Sequence, residues 1–488
     1  MVKRANSFKE ALSVFLFFLC LFGLTYKGLT IEDGALHYET ARNFIEKGSF
    51  SLPADRFTGL KNTVFWKGGL NGITYLALPP ALTICSTPGC ALGLMIEKSL
   101  FSRARATAVF DLSIKRDEWD NHFRKARYRP SVFFTFLINP VVSSLTLAVL
   151  YLILRSLGTK GRNSLILVVA TGMTTNIWYF ATCDWTQPLA MFTLLSCCFF
   201  LLEAMEKDRE FSAFYAGLCG GFALLARFDS FLTLSWLVLF LLWKSEKRYK
   251  RLSYFSVGFI LCLTLLCLWN HWRFGNPLDT GSKHQSFKHL LSRKMNVQFP
   301  AALLANLVLP KQGLFFYAPI LFCVLLTLRA FAKERPSLTL AILGLCVTNV
   351  AFFSAFLLWQ TPESIGPRFL VPLIPFITIV LSKLDFALKR DKALFLFLAA
   401  IGLCMQICAV SHPLRLSTRE SLPLFSISKP SYASLLSSPL WLHGKEMVSG
   451  DIELWWLMNW RLTVVGLVLF IIGGRQFVRL FSCYQSCV

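Results

Sequence analysis

Long apolar runs separated by short polar stretches set the pattern of this chain. Runs able to cross about 30 Å of hydrocarbon at about 1.5 Å per helical residue fall at 11–26, 131–154, 163–182, 187–204, 211–226, 229–243, 253–272, 314–332, 337–358, 370–388, 393–411 and 461–478. They predict about twelve transmembrane helices. A different period follows the first run. From 35 to 47, Tyr38, Ala41 and Ile45, flanked by Phe44, recur at helical spacing, while Glu39, Arg42 and Glu46 stand three and four apart on the other side. That spacing predicts a short amphipathic helix lying flat on the membrane surface. A further apolar segment, 70–96, is interrupted by Pro79-Pro80 and Pro88-Gly89, which suits a broken, re-entrant or surface-lying hairpin better than a straight span. No inverted repeat of the transporter kind is visible.

Composition agrees with this pattern. Of 488 residues, 55% are apolar and only 16% charged, which excludes a soluble domain and makes the chain a polytopic membrane protein. Lys3, Arg4 and Lys9 precede the first run and no small-residue cleavage site follows it, the pattern of a retained anchor. A net charge of +23 would suit nucleic acid, but the basic residues are spread over many short loops. Alternate short loops from 155 to 479 carry nineteen Lys and Arg, and the short loops facing the other way carry two, Arg227 and Arg368. By the positive-inside rule the amino terminus is cytoplasmic. Three long segments, 27–130, 273–313 and 412–460, then lie outside, and with them all seven histidines, among them His37. No pair of histidines has a convincing ligand spacing, so a divalent metal stays open without a motif to support it. Most of the fifteen cysteines lie within apolar runs as small hydrophobes. Cys85 and Cys90 flank Ser-Thr-Pro-Gly and are placed to bridge if they face an oxidising compartment.

The outer face is where chemistry is expected. Glu32 and Asp33 are adjacent carboxylates at the membrane boundary, and Asp33 has the position of a general base. Asp184, in Cys-Asp-Trp-Thr-Gln-Pro at 183–188, is a second outer acid. Arg227, in Ala-Arg-Phe-Asp at 226–229, Arg368, in Gly-Pro-Arg-Phe at 366–369, and Lys311 supply cations for an anionic leaving group. The bland alternatives are a salt bridge from Arg227 to Asp229 and a snorkelling role for Arg368. Tryptophans near the span ends read as an interfacial belt or as platforms for a sugar ring.

Taken in order, these pieces resemble the GT-C superfamily of bacterial membrane glycosyltransferases, near the protein mannosyltransferase and aminoarabinose lipid A transferase branch. The stretches that carry the resemblance are Glu-Asp-Gly-Ala-Leu-His-Tyr at 32–38, Lys-Gly-Gly-Leu-Asn-Gly-Ile-Thr-Tyr-Leu-Ala-Leu-Pro at 67–79, Asn139-Pro140, Thr-Asn-Ile-Trp-Tyr at 175–179, Gly-Phe-Ala-Leu-Leu-Ala-Arg-Phe-Asp at 221–229, Trp-Asn-His-Trp-Arg-Phe-Gly-Asn-Pro at 269–277, Gln-Gly-Leu-Phe-Phe-Tyr-Ala-Pro at 312–319 and Gly-Pro-Arg-Phe-Leu at 366–370. The resemblance implies an all-α GT-C-like bundle with amphipathic helices in its first extracytoplasmic loop. It implies inverting transfer of a sugar from a polyprenyl-phosphate carrier to an extracytoplasmic lipid, glycan or protein, in the inner (plasma) membrane. Asp33 stands at the family's first-loop catalytic aspartate, and Arg227 near the lipid phosphate with Arg368 or Lys311; Glu32, His37, Tyr38, Asp184 and Asp229 are possible supports. The chain departs from the family in having Arg-Phe-Asp for Arg-Pro-Asp, Pro362-Glu363-Ser364 for small residues, and an apparent insertion at 98–129. The expected partners are the lipid-linked donor, the bilayer and the acceptor, with no nucleic acid. Residues 1–411 would form the catalytic domain, and 412–488 an outer segment, a last span and a tail. The rivals are a transporter or flippase, which should carry ionisable residues deep in several spans, and a lipid-linked glycan ligase or polymerase of the same fold.

Overall fold

The computed structural model describes residues 2–30, 32–52, 66–69, 73–100, 129–244, 247–281, 299–310, 312–355 and 364–411. They form helices α1 (Val2–Leu24) and α2 (Glu32–Lys47), a two-stranded antiparallel ribbon of β1 (Trp66–Gly68) and β2 (Thr74–Leu76), and then helices throughout: α3 (Ala81–Leu100), α4 (Pro130–Phe136), α5 (Ile138–Ser156), α6 (Gly161–Thr174), α7 (Ile177–Ala181), α8 (Gln187–Glu206), α9 (Ser212–Ala226), α10 (Ser230–Lys244), α11 (Arg248–Phe274), α12 (Phe299–Leu307), α13 (Leu314–Tyr317), α14 (Val324–Glu334), α15 (Pro336–Ala355), α16 (Ile374–Val380) and α17 (Lys389–Ser411). Short 3-10 turns lead into α14 and flank α16.

Six helical stretches are long and apolar enough to cross a bilayer, and three shorter apolar ones accompany them. Eleven of the twelve apolar runs contain helix among the described residues. The twelfth, 461–478, lies outside the described residues, as do 412–460 and the rest of the carboxy-terminal segment. The helices are not uniform rods. The run 163–182 breaks at Thr175, whose backbone is extended, into α6 and the single turn of α7. The run 314–332 is split by Pro319, which cannot donate to the preceding turn.

The main core lies where α1 packs on α5, α8 on α5 and α9, α9 on α11, α10 on α15 and α17 on α6. A second cluster under the first outer loop joins Tyr26, Leu36, Tyr38 and Ala41 to Cys90, Leu94, Val132 and Phe136.

Two expectations for that loop change. The helix over 35–47 forms as α2, but residues 34 to 43 are all buried. Its polar side is covered too, with Glu39 1% and Arg42 3% exposed, and on the apolar side Tyr38 Oη lies 2.7 Å from Ser131 Oγ, whose backbone N–H donates to Glu97 of α3 at 3.0 Å. The 70–96 segment breaks at Pro79-Pro80 but not at Pro88, which is inside α3. Gly89 and Gly93 let that helix seat its backbone against Phe134 and Ser131, and the packing offsets the hydrogen bond that proline removes. Cys85 and Cys90 therefore share one helix, and both are free thiols.

Candidate active site

Alternating helix directions bring the α1–α2 connector, the turns before α8 and α10, and the end of α17 to one end of the bundle. The centre of that end is the turn 182–186, between α7 and α8. Asn139, at the start of α5, holds it by donating from Nδ2 to the carbonyls of Cys183 at 2.6 Å and Trp185 at 2.8 Å. Both arms of one amide are spent on shaping this turn.

Asp184 reaches from the turn to the first outer loop. Its Oδ1 accepts from the backbone N–H of Thr30 at 3.1 Å and from the Thr30 hydroxyl. A Cβ on Gly34 would stand 1.7 Å from Asp184 Oδ2, so the acid lies against the first turn of α2. A carboxylate there is favoured by the unpaired N–H groups and the dipole of the helix start. Asp33, partly exposed beside Gly34, is on that same turn. The two outer acids of the sequence are thus on touching elements. Lys27, which the sequence reading passed over, ties the same connector down: its backbone N–H donates to Thr182 O at 2.9 Å, Nζ donates to the carbonyl of Ala409 at the end of α17, and the ammonium stands 4.6 Å from the centre of the Tyr179 ring.

Trp185, the next residue, meets a cation. The Arg368 guanidinium lies over its ring at 4.2 Å and over that of Phe369 at 5.0 Å. Thr186 meets the other: its hydroxyl accepts from Arg227 Nη1 at 3.2 Å. Arg227 also forms the salt bridge to Asp229, from Nε to Oδ1 at 3.0 Å and from Nη2 to Oδ2 at 2.8 Å. The Arg227 guanidinium stands 5.3 Å from the centre of the same Phe369 ring. Two cations sharing one aromatic ring put positive charge beside the start of α8. The loop carrying Arg368 is fixed by Asn176, which donates to Ile365 O at 2.8 Å and accepts from Gln406 at 3.0 Å. Gly366 adopts φ +83° there, a conformation disfavoured for side-chain-bearing residues.

The structure therefore gathers Asp33, Asp184, Arg227, Asp229 and Arg368 around residues 182–186. It separates the others. His37 is fully buried, with Nδ1 2.6 Å from Thr83 Oγ1, and burial pushes its pKa down to about 3. It is a neutral core histidine. Tyr38 belongs to the α2–α4 core, where burial raises its pKa. Lys311 and the Glu32 side chain lie outside the described residues. Among the described residues no three His, Cys, Asp or Glu gather as a metal site.

Fold and site together define a polytopic, mostly helical membrane protein with a polar centre, among the described residues, at one end of its bundle. Residues 131–272, which include Asp184, Arg227 and Asp229, match the family described as dolichyl-phosphate-mannose-protein mannosyltransferase. Among solved structures the chain is similar to ArnT from Cupriavidus metallidurans bound to undecaprenyl phosphate, with a TM-score of 0.52 and 15% identity, over 95% of this chain and 74% of that one. It is likewise similar to the apo state of the same ArnT, with a TM-score of 0.50 and 14% identity, over 93% and 72%. No curated protein matches by sequence. The fold is similar to that of ArnT.

Proposed function

We propose that the chain is an inverting glycosyltransferase that takes a sugar from a polyprenyl-phosphate carrier and passes it to an extracytoplasmic acceptor at the inner membrane. The observation that carries this reading is the 182–186 turn. It joins the Asp33 turn, through Asp184, to two cations, through Trp185 and Thr186.

In this mechanism Asp33 takes the proton of an acceptor hydroxyl as that oxygen attacks the anomeric carbon, and the bond from that carbon to the phosphate oxygen breaks on the opposite face. The departing phosphate carries the electron pair and is met by Arg368, with Arg227 and the N–H groups at the start of α8 beside it. Asp229 keeps Arg227 oriented rather than free to collapse onto Asp33. Asp184 and Lys27 hold the connector, and with it the base. The donor is already activated, so no nucleotide loop is needed. The crystal structure of ArnT with undecaprenyl phosphate supports a lipid phosphate as the ligand class.

The test is Asp33→Asn, assayed for sugar transfer from labelled polyprenyl-phosphate donors in membranes. Transfer should fall by about two to four orders of magnitude, while binding of the bare lipid phosphate persists. Undiminished transfer would remove Asp33 from the reaction.

A further inference from the structure

The same turn carries polar atoms that no protein group satisfies. Gln187, the first residue of α8, is fully buried, and both its Oε1 and its Nε2 lack a hydrogen-bond partner. Two residues earlier Trp185, 2% exposed, has an unpaired Nε1. Asn139, whose Nδ2 is spent on the turn, keeps an unpaired Oδ1, and one helical turn further along α5 the buried Ser143 hydroxyl is also unpaired. Five buried polar atoms are thus unsatisfied within residues 185–187 and the helix turn clamped to them.

Leaving a buried donor or acceptor unpaired costs about 1–3 kcal/mol, and buried polar groups in native proteins are nearly always partnered. So dense a group at the polar centre of the fold calls for partners that the protein's own groups do not supply. Its chemistry is specific. A carboxamide both donates and accepts, an indole N–H only donates, an amide oxygen only accepts, and a hydroxyl does either. None of these groups is charged. The complement is a neutral, polyhydroxylated group. Its location follows from Trp185: the indole that carries the unpaired N–H is the one the Arg368 guanidinium covers. A phosphate held by Arg368 would have its substituent one indole away.

We infer that Gln187, Trp185 Nε1, Asn139 Oδ1 and Ser143 form the subsite that binds the hydroxyl groups of the donor sugar and discriminates between sugars. This deepens the proposed function and rests on it. Gln187 is a specificity-determining residue, making paired contacts that a sugar lacking the matching hydroxyls would leave open.

The test uses the full-length protein in lipid nanodiscs and direct binding of two probes: bare polyprenyl phosphate, and polyprenyl phosphate carrying mannose, glucose or arabinose. Gln187→Met keeps the volume and removes both polar atoms; Ser143→Ala removes only the hydroxyl. Each should weaken the best-bound sugar-bearing lipid about tenfold or more relative to wild type, narrow the preference among the three sugars, and leave the bare lipid unchanged. Retained binding of the bare lipid also reports that the variant is folded. Equal weakening of both probes, or of neither, overturns the subsite and leaves these atoms to buried water. If wild type binds neither probe, the donor reading fails, and the subsite falls with it.

Discussion

The two ends of the helix bundle solve the problem of charge at a membrane boundary in opposite ways. Among the described residues at the site end the ionic groups are few and mostly held within the protein: Lys27 against a helix terminus and a tyrosine ring, Asp184 against the start of α2, Arg368 between two aromatic rings. At the other end they are many and, Arg251 apart, at least partly wet. Lys247 pairs with Asp208 at 2.8 Å and with Glu210 at 3.2 Å, and Arg251, Lys250, Arg335 and Lys383 pair with Asp208, Glu210, Glu206 and Glu334. Ion pairs exposed to solvent contribute little each, so this lattice serves mainly to keep Lys and Arg at one surface. Charges withdrawn from water interact strongly and are costly unless each has a defined partner. The difference sets an end with few, enclosed charges against an end with many exposed ones.

The sharpest way to break the contrast is at Gly34, where the geometry leaves no slack. Gly34→Ala sets a methyl group 1.7 Å from Asp184 Oδ2, so either the α2 start or the 182–186 turn must give. A displacement of about 1 Å in a catalytic group costs on the order of a hundredfold in rate. The variant should insert in the membrane at wild-type level and lose transfer by at least about that factor. Normal transfer would mean that the Asp184 contact does not position the site.

How much of this was legible in the sequence depended on what kind of signal each residue gives. Asp33, Asp184, Arg227 and Arg368 stand out because an ionisable residue at the end of an apolar run is rare, and one chain position suffices to notice it. Their gathering around one turn was not legible, because it depends on pairs such as Thr30 with Asp184, 154 positions apart, and Arg227 with Thr186, 41 apart. Asn139 carried part of the family resemblance and Trp185 stood among the span-end tryptophans, but the unpaired atoms of Asn139, Trp185 and Gln187 were not legible: an amide or indole beside an apolar run looks the same whether its polar atoms are partnered or empty. The helix over 35–47 was visible from its period, but a two-sided pattern reads as a membrane surface whether water or protein covers the polar side. Here protein covers it.

That covering gives a smaller effect, in stability. His37 is held neutral within the dry side of the comparison, with a pKa of about 3 against about 6.5 for an exposed histidine. Between those values the unfolded chain binds a proton that the folded chain does not, so folding stability falls as pH drops below about 6.5. At pH 5 the penalty is about 2 kcal/mol. His37→Asn, which cannot titrate, should lose less melting temperature than wild type between pH 7 and pH 5 in detergent. Parallel losses would show that His37 is hydrated and that the α2–α3 packing is looser than described.

The smallest effect belongs to the other end. Salt bridges to Lys247 and Arg251 hold the Asp208 carboxyl below its usual range, one to Lys250 does so for Glu210, and Asp208 raises the Lys247 ammonium. For the two carboxylates the sign is that of depressed acids: what they contribute is present above the unfolded carboxylate range and lost as pH falls through their lowered values. Solvent screening keeps that contribution small. Lys247→Ala should therefore move the melting temperature by under about 2 °C, leave transfer within about twofold of wild type, and lose even this small shift in about 1 M salt, where the Debye length is about 3 Å. A large loss of transfer in Lys247→Ala would tie the charged lattice to the site at the opposite end, and the contrast between the two ends would no longer hold.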